Sequence, residues 1–345
     1  MNAASPPVDR SLSSSGKPRL LVIELWGMGD LVIATPFLRA ASKKFAVSLL
    51  AKPIALELQP RLWPDIKIFP FTAPWTAFKK KYQVWRWPLL DMWRLRQALA
   101  AEHFDYGLSG RWDPRDHFVL RASGIRRRLS FPRLNSGIFL TQPIARPDPL
   151  AHHYDYWRAA GQTLGLDLPL RENLPAFPRP AMKQIMVHTG ARLPTRVWPL
   201  DHYQNLVGRL RADGHYVQIV CDPNQLAWWQ QSGETSVACP RSVSQLLALL
   251  DQSGLFVGNC SGPGHLAAIT GVPTFTLHGP SLPEWFAPLH PAAEWMEGKS
   301  CPYRPCSDYC RFPTPECLWN LTAAEVWPRV KAFVERHAST TLAPA

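Results

Sequence analysis

The chain of 345 residues has no apolar run long enough to cross a bilayer. Its longest apolar stretch, residues 20–38, is interrupted by Glu24 and Asp30. A spanning helix needs roughly 20 nearly uncharged residues. Residues 1–17 are rich in Ser, Pro and Ala and have no apolar centre, so we expect a disordered N-terminal arm and not a signal peptide. These features predict a cytoplasmic protein.

Three further signatures are missing. The seven cysteines are an odd number, and without an export signal they do not favour a disulfide framework. The turn after the first predicted strand, residues 26–30, is not the G-x-G-x-x-G of dinucleotide-binding folds, so this turn need not hold a dinucleotide. No internal repeat of short period is present. The sequence therefore predicts an ordinary folded chain, which is long enough for two domains with full cores.

Positive charge is in excess. Lys and Arg number 38 against 26 Asp and Glu, which gives a net charge of +12. Such a surplus favours an anionic partner, whether a phosphorylated glycan, a nucleotide, a membrane surface or a nucleic acid. The 15 Trp residues suit both sugar stacking and membrane interfaces. No DNA or RNA motif is present, so nucleic acid is not expected as a partner.

The N-terminal half opens as a strand–turn–helix–strand unit. Residues 19–25 and 46–51 are apolar strands, and residues 31–44 carry helix-spaced apolar positions. Pro36 should bend this helix or mark its true first turn. Asp30 follows the first strand, where parallel sheets place their chemistry, so it is our candidate general base. The alternative is that Asp30 only caps the helix.

Basic side chains are frequent in the rest of this half. Residues 75–99 alternate Trp with Lys and Arg; they form either a surface for anionic lipid or glycan, or an amphipathic helix with buried Trp. Four arginines further on are expected at the crevice edge near Asp30, where they would bind an anionic acceptor: Arg111, Arg115, Arg126 and Arg127. A solvated loop is the alternative for the cluster at 126–128.

A proline-rich stretch divides the chain. We assign residues 18–168 to an N-terminal Rossmann-like domain, 169–181 to a linker, 182–330 to a C-terminal Rossmann-like domain, and 331–345 to a C-terminal helix or tail. Two successive α/β series predict two domains that face each other across a cleft.

The second series contains the most informative stretch, residues 256–275. A buried strand there is followed by a Gly/Ser/Pro loop and the start of a helix, and then by another strand. The loop brings Ser261 and His265 to a helix N-terminus, which attracts phosphate through unpaired amides and the helix dipole. We interpret it as the site of a nucleotide's phosphates; an ordinary strand–helix turn is the alternative.

Three blocks in order resemble the ADP-heptose:lipopolysaccharide heptosyltransferase family (glycosyltransferase family nine). The first is Gly29-Asp30 with Pro36 and Leu38-Arg39. The second runs from His188-Thr-Gly-Ala to Arg196-Val-Trp-Pro. The third is Gly258-Asn-Cys-Ser-Gly-Pro-Gly-His-Leu-Ala-Ala, followed by Gly-Val-Pro-Thr. The resemblance implies a GT-B fold, with the acceptor on the N-terminal domain and the nucleotide-sugar donor on the C-terminal one.

The resemblance also implies roles for single residues. Asp30 would remove the proton from the acceptor hydroxyl. A second set would bind the donor, mainly through its diphosphate: Thr189, Gly190, Arg192, Arg196, Asp222, Cys260, Ser261, Gly262 and His265. Two of these depart from the family pattern. Cys260 replaces an Asp that contacts the donor sugar, and Arg196 replaces a Lys, which keeps the charge but changes its geometry.

Metal is not expected at this site. The Asp-x-Asp signature of a metal-held diphosphate is absent, so the helix N-terminus with Arg192 and Arg196 would stabilise the departing charge. A separate cluster, Cys301, Cys306, Cys310 and Cys317, lacks the paired spacing of zinc ribbons. A structural zinc or iron held by its four thiolates is a weak candidate, and a loop of free thiols is the alternative.

The sequence thus predicts an inverting, metal-independent glycosyltransferase. It would move heptose or a related sugar from an ADP-sugar to an anionic lipopolysaccharide precursor at the cytoplasmic face of the inner membrane. Two alternatives stay open: a repurposed or inactive GT-B protein that binds nucleotide sugars, which Cys260 suggests, and a glycosyltransferase that acts on protein.

Overall fold

The computed structural model describes residues 16–77, 82–306 and 309–338. The predicted N-terminal arm therefore lies almost wholly outside the described residues, as do the three lysines at 79–81. Within the described part the chain forms two parallel six-stranded sheets, each flanked by helices. The prediction of an α/β architecture with two Rossmann-like halves is confirmed.

The first sheet has the spatial order β3-β2-β1-β4-β5-β6. Its strands are β1 (Arg19–Glu24), β2 (Ala46–Ala51), β3 (Lys67–Pro70), β4 (Tyr106–Ser109), β5 (Arg127–Ser130) and β6 (Gln142–Pro143). The helices of this half are α1 (Met28–Ile33), α2 (Thr35–Lys44), α3 (Ala55–Leu62), α4 (Leu89–Ala101), α5 (Pro114–Ala122) and α6 (His153–Thr163). Strands β1 and β2 are almost wholly buried, which is typical of parallel sheets covered on both faces.

The second sheet has the order β12-β11-β10-β7-β8-β9. Its strands are β7 (Gln184–His188), β8 (Val217–Val220), β9 (Val237–Ala238), β10 (Ser253–Asn259), β11 (Thr274–His278) and β12 (Ala293–Glu297). The helices are α7 (Leu200–Ala212), α8 (Leu226–Gln231), α9 (Val243–Asp251), α10 (Gly262–Ile269), α11 (Pro283–Phe286), α12 (Glu316–Trp319) and α13 (Ala323–Ala338).

Both sheets have the same topology when their strands are counted from the start of each half. The order reverses between β1 and β4 in the first sheet and between β7 and β10 in the second. At such a switch point the two neighbouring crossover connections leave on opposite faces, which opens a crevice at the carboxyl ends of the strands. Each half therefore has one natural place for a ligand, and the loops there follow β1, β4, β7 and β10.

Pro36 marks the first turn of a helix, which is one of the two outcomes that the sequence left open. The predicted single helix over residues 31–44 is instead two helices, α1 and α2, with Pro36 in the first turn of the second. Pro lacks an amide hydrogen and fits the first turn, where that donor would have no intrahelical partner. The short helix α1 is thereby fixed as a separate element, with Asp30 in its first turn.

The C-terminal helix crosses the predicted domain boundary at residue 330. Helix α13 runs through it without a break, and Val330, Phe333 and Val334 are buried in the core of the second half. The apolar stripe of this helix continues across residue 330 at helical spacing. Residues 331–338 therefore belong to the C-terminal domain and not to a tail.

The two halves pack on each other directly. Helix α1 lies against α10, and one buried apolar cluster continues from the first sheet through these helices to Phe256 and Leu266 of the second. The Glu57 carboxylate in α3 accepts hydrogen bonds from the Val243 and Ser244 amides at the start of α9, at 2.7 and 3.3 Å. No helix in the described part of the chain is long and apolar enough to span a membrane.

Candidate active site

A cleft of about 660 Å³ lies between the carboxyl ends of the two sheets. Its walls come from the loops that follow β1, β2, β3 and β4 on one side and β7, β8 and β10 on the other, so both switch points open into it. The cleft contains Asp30 and His265 from opposite halves. The close packing of α1 on α10 requires glycine at position 29, because an added Cβ would lie 2.8 Å from the His265 Cδ2 atom.

Asp30 is held in place by three neighbours. Its Oδ2 atom accepts a hydrogen bond from the Gly27 amide at 2.9 Å, and its Oδ1 atom forms an ion pair with the Arg111 guanidinium. The His153 Nδ1 atom lies 3.7 Å from the same oxygen. The carboxylate thus caps its own helix and also faces the cleft, so the two interpretations of Asp30 are compatible.

Arg111 lies between two carboxylates. Besides Asp30, its Nε atom lies 3.4 Å from a carboxylate oxygen of Glu24, which is buried at the end of β1. Burial acts to raise the pKa of Asp30, but the charge of Arg111 outweighs it and holds the pKa well below its usual value. Burial raises the pKa of Glu24 to about 7, against the partial opposition of Arg111. At neutral pH Asp30 is therefore ionised, whereas burial shifts Glu24 toward its protonated form.

His153 begins α6 and adds a neutral ring to this group. Its Nδ1 atom is 3.0 Å from a guanidinium nitrogen of Arg111 and accepts from it. Burial, and then the charge of Arg111, lower the pKa of His153 to about 4, so the ring is neutral at pH 7. Phe286 of the other half packs on this ring with its centroid 4.2 Å away, which ties the position of His153 to the packing of the two halves on each other.

The start of α10 presents unsatisfied polar groups to the cleft. Ser261 is its N-cap, and neither the Ser261 hydroxyl nor the His265 Nδ1 atom has a hydrogen-bond partner in the described part of the chain. Burial lowers the pKa of His265 to about 4, so its ring is neutral. Buried polar atoms without partners inside a cleft are expected to bind a ligand, and a helix N-terminus favours an anion. Gly262 lies beside them, against the Met28 side chain of α1.

Three cations line the cleft near this helix end. Arg192 and Arg196 come from the loop after β7, as predicted, and Lys52 follows β2 in the opposite half. Burial, and then the charge of Arg192, lower the pKa of Lys52, which places the two like charges within range of each other across the cleft. Like charges that converge on one space favour an anion between them. Lys52 was not among the predicted cleft residues, although its position directly after a buried strand is a usable signal.

Asp222 lines the cleft from the loop after β8, at the predicted position. Gly190 supports it from behind: an added Cβ at Gly190 would lie 2.3 to 2.5 Å from the atoms of the Asp222 carboxyl group. Gly190 is not part of the cleft wall. Its absent side chain is needed for the close approach of Asp222, and the contact of its backbone with phosphate stays a prediction.

Thr189 does not contribute to the cleft, so its predicted contact with phosphate is wrong. Its hydroxyl donates to the Gln225 side chain at 2.9 Å and accepts from Trp229 Nε1 at 3.3 Å. Its amide donates to the Val220 carbonyl at 2.9 Å, and its carbonyl accepts from Asn259 Nδ2 at 2.9 Å. Every polar atom of Thr189 is thus used inside the second half, because the strand turns this side chain away from the crevice.

The arginines predicted to bind an acceptor are separated by the fold. Only Arg111 lines the cleft. Arg115 forms a two-pronged ion pair with Asp113 at 2.8 and 2.7 Å and borders a different cavity. Arg126 and Arg127 lie at the start of β5, where Arg127 is in register with the first residue of β4. In a parallel sheet the starts of strands lie at the edge opposite their ends, so these two arginines lie far from the crevice and the prediction for them is wrong.

Cys260 lies in the cleft wall, as its place in the sequence block suggested, and is 5% exposed. Its sulfur accepts a hydrogen bond from the Ser281 hydroxyl at 3.5 Å. Burial raises the pKa of its thiol, so it remains protonated and uncharged at neutral pH. A neutral thiol therefore stands where the family pattern has a carboxylate.

The four cysteines of the predicted cluster differ in burial: Cys317 is buried, whereas Cys301, Cys306 and Cys310 are partly exposed. Cys301 and Cys317 pack with the apolar core of the second half, and burial raises the pKa of the Cys306 thiol, with the Cys310 and Cys301 charges adding to it. Within the described part of the chain no group of three or more His, Cys, Asp or Glu side chains is arranged to hold a metal ion. A zinc or iron site stays a prediction, which elemental analysis of the purified protein would decide.

The basic aromatic segment shows parts of both structures that the sequence allowed. Trp75 is buried at 2% exposure, but Trp85 and Trp93 are 76% and 54% exposed. Helix α4 buries only Leu99 completely. Among the described residues of this segment, Trp75 is therefore packed in the core, whereas Trp85 and Trp93 form part of an exposed surface.

Comparison with known proteins agrees with this geometry. The model of Glycosyltransferase family 9 (heptosyltransferase) matches residues 92–312, which is more than half of the chain. The chain belongs to glycosyltransferase family 9. A curated member, lipopolysaccharide heptosyltransferase 3 of Escherichia coli (strain K12), is 28% identical over 104 residues. That match covers 28% of this chain and about a third of the relative, 30% of its length.

Solved structures of family 9 members share the fold. The E. coli heptosyltransferase WaaC with ADP gives a TM-score of 0.70 at 17% identity, over 92% of this chain and 99% of that one. A family 9 glycosyl transferase from Veillonella parvula DSM 2008 gives a TM-score of 0.72 at 16% identity, over 92% and 98%. These likenesses confirm the GT-B fold of the family 9 chain described here.

Proposed function

We propose that this protein transfers heptose, or a related sugar, from an ADP-sugar to a lipopolysaccharide core acceptor, with inversion and without a metal ion. One observation carries the proposal. An ionised carboxylate from the first half, Asp30, faces the unsatisfied helix end of the second half, at Ser261 and His265, across one cleft. The family membership and the ADP in the WaaC structure support an ADP-sugar as the donor.

The chemistry needs charge stabilisation at both ends of the reacting bond. The acceptor oxygen attacks the anomeric carbon, its proton passes to the Asp30 carboxylate, and the electrons of the broken bond leave with the ADP diphosphate. Attack from the face opposite the leaving group inverts the anomeric centre. The amides at the start of α10, with Arg192, Arg196 and Lys52, would neutralise the diphosphate as it departs.

The low pKa of Asp30 limits its strength as a base. A carboxylate that holds its charge so firmly is a weak base in the ground state, so its main effect is to orient the acceptor hydroxyl and to receive the proton late. General base catalysis of this kind contributes about 10²–10⁴-fold. Arg111 keeps the carboxylate charged and pointed at the cleft, and in this proposal it acts on the acceptor through Asp30.

Contact with the cytoplasmic face of the inner membrane is part of the proposal. It is supported by exposed apolar side chains on and before α4, among them Trp85, Leu89 and Trp93, in a chain of net charge +12. Aromatic side chains beside basic ones are suited to an anionic bilayer surface. A lipid-anchored acceptor would then reach the cleft from the membrane side.

The test is transfer from ADP-heptose to a deacylated or intact core acceptor, followed by the mass of the product. The Asp30→Asn variant should lose about 10²–10⁴-fold in kcat and keep its affinity for ADP. Asp65→Asn, an exposed Asp outside the cleft, is the matched control and should be fully active. Full transfer by Asp30→Asn would remove Asp30 from its role.

Cys260 favours a second candidate, a GT-B protein that binds the nucleotide sugar without turnover. The family carboxylate there is replaced by a neutral thiol, so a contact to the donor sugar is changed. Tight binding of ADP-heptose with no product from any core acceptor would support this candidate. Intact masses of co-expressed proteins, raised by one heptose, would instead indicate a protein acceptor.

A further inference from the structure

A second cavity, of about 460 Å³, lies in the first half between α4, α5 and the segment 71–77. Its wall is almost entirely apolar. The apolar side chains in this wall include Phe71, Trp75, Trp87, Met92, Leu99 and Val119. Pockets of about 300–1,000 Å³ with such walls are typical of sites for apolar ligands. The proposed transfer reaction makes no use of this cavity.

The cavity and the catalytic cleft share one wall. Phe71 and Trp75 line the apolar cavity, whereas Thr72 and Thr76 of the same segment line the cleft. This wall is fixed from behind, because Trp75 Nε1 donates a hydrogen bond to the buried Asp116 carboxyl at 3.0 Å. A ligand in the cavity therefore lies directly beside the acceptor side of the cleft.

Large apolar side chains are exposed beside the cavity. Trp85, Leu89, Leu90 and Trp93 on and before α4 are 76%, 66%, 58% and 54% exposed, and Phe118 on α5 is 54% exposed. Trp93 and Phe118 also line the cavity. A group of exposed apolar side chains of this size marks an interaction surface. Since it adjoins the cavity, the two form one continuous apolar feature from the interior to the surface.

The charged groups here are mainly positive. Arg96 and Arg115 line the cavity, and Arg86, Arg94 and Arg121 are exposed around it. The nearby acids are compensated or buried. Asp91 and Asp113 pair with two of these arginines, Arg94 and Arg115, and Asp116 is 0% exposed. Among the described residues, Arg86, Arg96 and Arg121 therefore supply the net positive charge of this surface. An amphiphile with an apolar tail and an anionic head complements both the cavity and its surroundings.

We propose that this cavity binds one acyl chain of an anionic phospholipid from the bilayer surface. The apolar wall takes the chain, Arg96 lies nearest the phosphate, and Trp85 and Trp93 lie at the level of the head groups. The lipid would come from the bilayer, because one acyl chain inside the cavity cannot cover the exposed apolar side chains around it, whereas a bilayer surface can. The site would hold the protein to the membrane with the cleft beside it.

The experiment measures binding of monomeric lysophosphatidylglycerol to the full chain, with no nucleotide present. Ala122 lines the cavity, and Ala122→Phe should fill it and lower the affinity by about tenfold or more, since tenfold corresponds to two methylene groups left unburied. The matched control is Ala98→Phe, at an exposed position of α4 outside the cavity, which should bind as the wild type does. Glycerophosphoglycerol, the head group alone, should not bind measurably.

Two further measurements test the role of the Arg96 charge and the origin of the bound acyl chain. Arg96→Gln should reduce the preference for lysophosphatidylglycerol over lysophosphatidylcholine, whereas Arg329→Gln on α13 should not. The proposal would be overturned if Ala122→Phe bound lysophosphatidylglycerol as tightly as the wild type does. It would also be overturned if every variant bound lysophosphatidylcholine as tightly as lysophosphatidylglycerol. Competition between lysophosphatidylglycerol and the sugar acceptor would assign the cavity to the acceptor's own chain and overturn the bilayer source.

This result is independent of the transfer reaction. Asp30→Asn lies outside the cavity and should bind lysophosphatidylglycerol as the wild type does, even where it transfers no sugar. If the protein binds ADP-heptose without turnover, the lipid measurement still stands. If it transfers heptose but binds no lipid, only the cavity assignment fails.

Discussion

Replacing Arg111 should move the pH at which the enzyme loses activity in acid. Arg111 is the positive charge that keeps Asp30 ionised in a buried place. At a charge separation of about 4 Å and an effective dielectric constant of about 20, the pair is worth about 4 kcal/mol, or about 3 pKa units. In Arg111→Gln this contribution is lost, while the burial that raises the Asp30 pKa remains.

The sign follows from the protonation state that is active. Transfer needs ionised Asp30, so activity falls where the pH passes below its pKa. The wild type should show no such limb in the pH range where it stays folded, because the pKa of Asp30 lies well below its usual value. In Arg111→Gln the acidic limb of kcat/KM should appear above about pH 4, since burial then acts with little opposition. Arg111→Lys keeps the charge and should keep the limb out of range, at a lower rate.

The assay is release of ADP from ADP-heptose in the presence of acceptor, measured from about pH 4 to 9 together with the melting temperature at each pH. Melting temperatures separate loss of the folded state from protonation of Asp30. If the profile of Arg111→Gln has the same shape as that of the wild type while both are folded, Arg111 does not control the charge of Asp30, and the proposed electrostatics are refuted.

Three other substitutions test separate parts of the structure. Burial raises the pKa of Asp116 to about 8, so the folded state keeps a proton that the unfolded chain releases. Between pH 5 and 7 the wild type should lose about 3 kcal/mol of unfolding free energy that Asp116→Asn does not lose, as denaturant titration would show. Gly29→Ala should force α1 away from His265, which would lower kcat/KM for transfer more than affinity for ADP, as calorimetry would show. Gly190→Ala should displace the Asp222 carboxyl and weaken ADP binding, and unchanged binding would mean that Asp222 does not contact the nucleotide.

Prediction from sequence succeeded where one short segment carried the whole signal. Strand β2 begins and ends at the predicted residues, because an uninterrupted apolar run between polar turns specifies a buried strand. The loop at Ser261 and the turn at Asp30 were found for the same reason. Prediction failed for Thr189 and Arg126, although both are residue types that can bind phosphate. The local sequence does not determine which way the Thr189 side chain points, or at which end of its strand Arg126 lies.

The sequence by itself determined two α/β series, their strands, and which loops carry the polar residues. The facing of the two halves across one cleft was a prediction from those series. Only the tertiary structure placed Glu24 and His153 around Arg111, set Lys52 opposite Arg192, and opened the apolar cavity beside the cleft. The reason is physical: strand and helix formation depends on side chains a few residues apart, whereas a charge network depends on packing between residues as distant as 24 and 153.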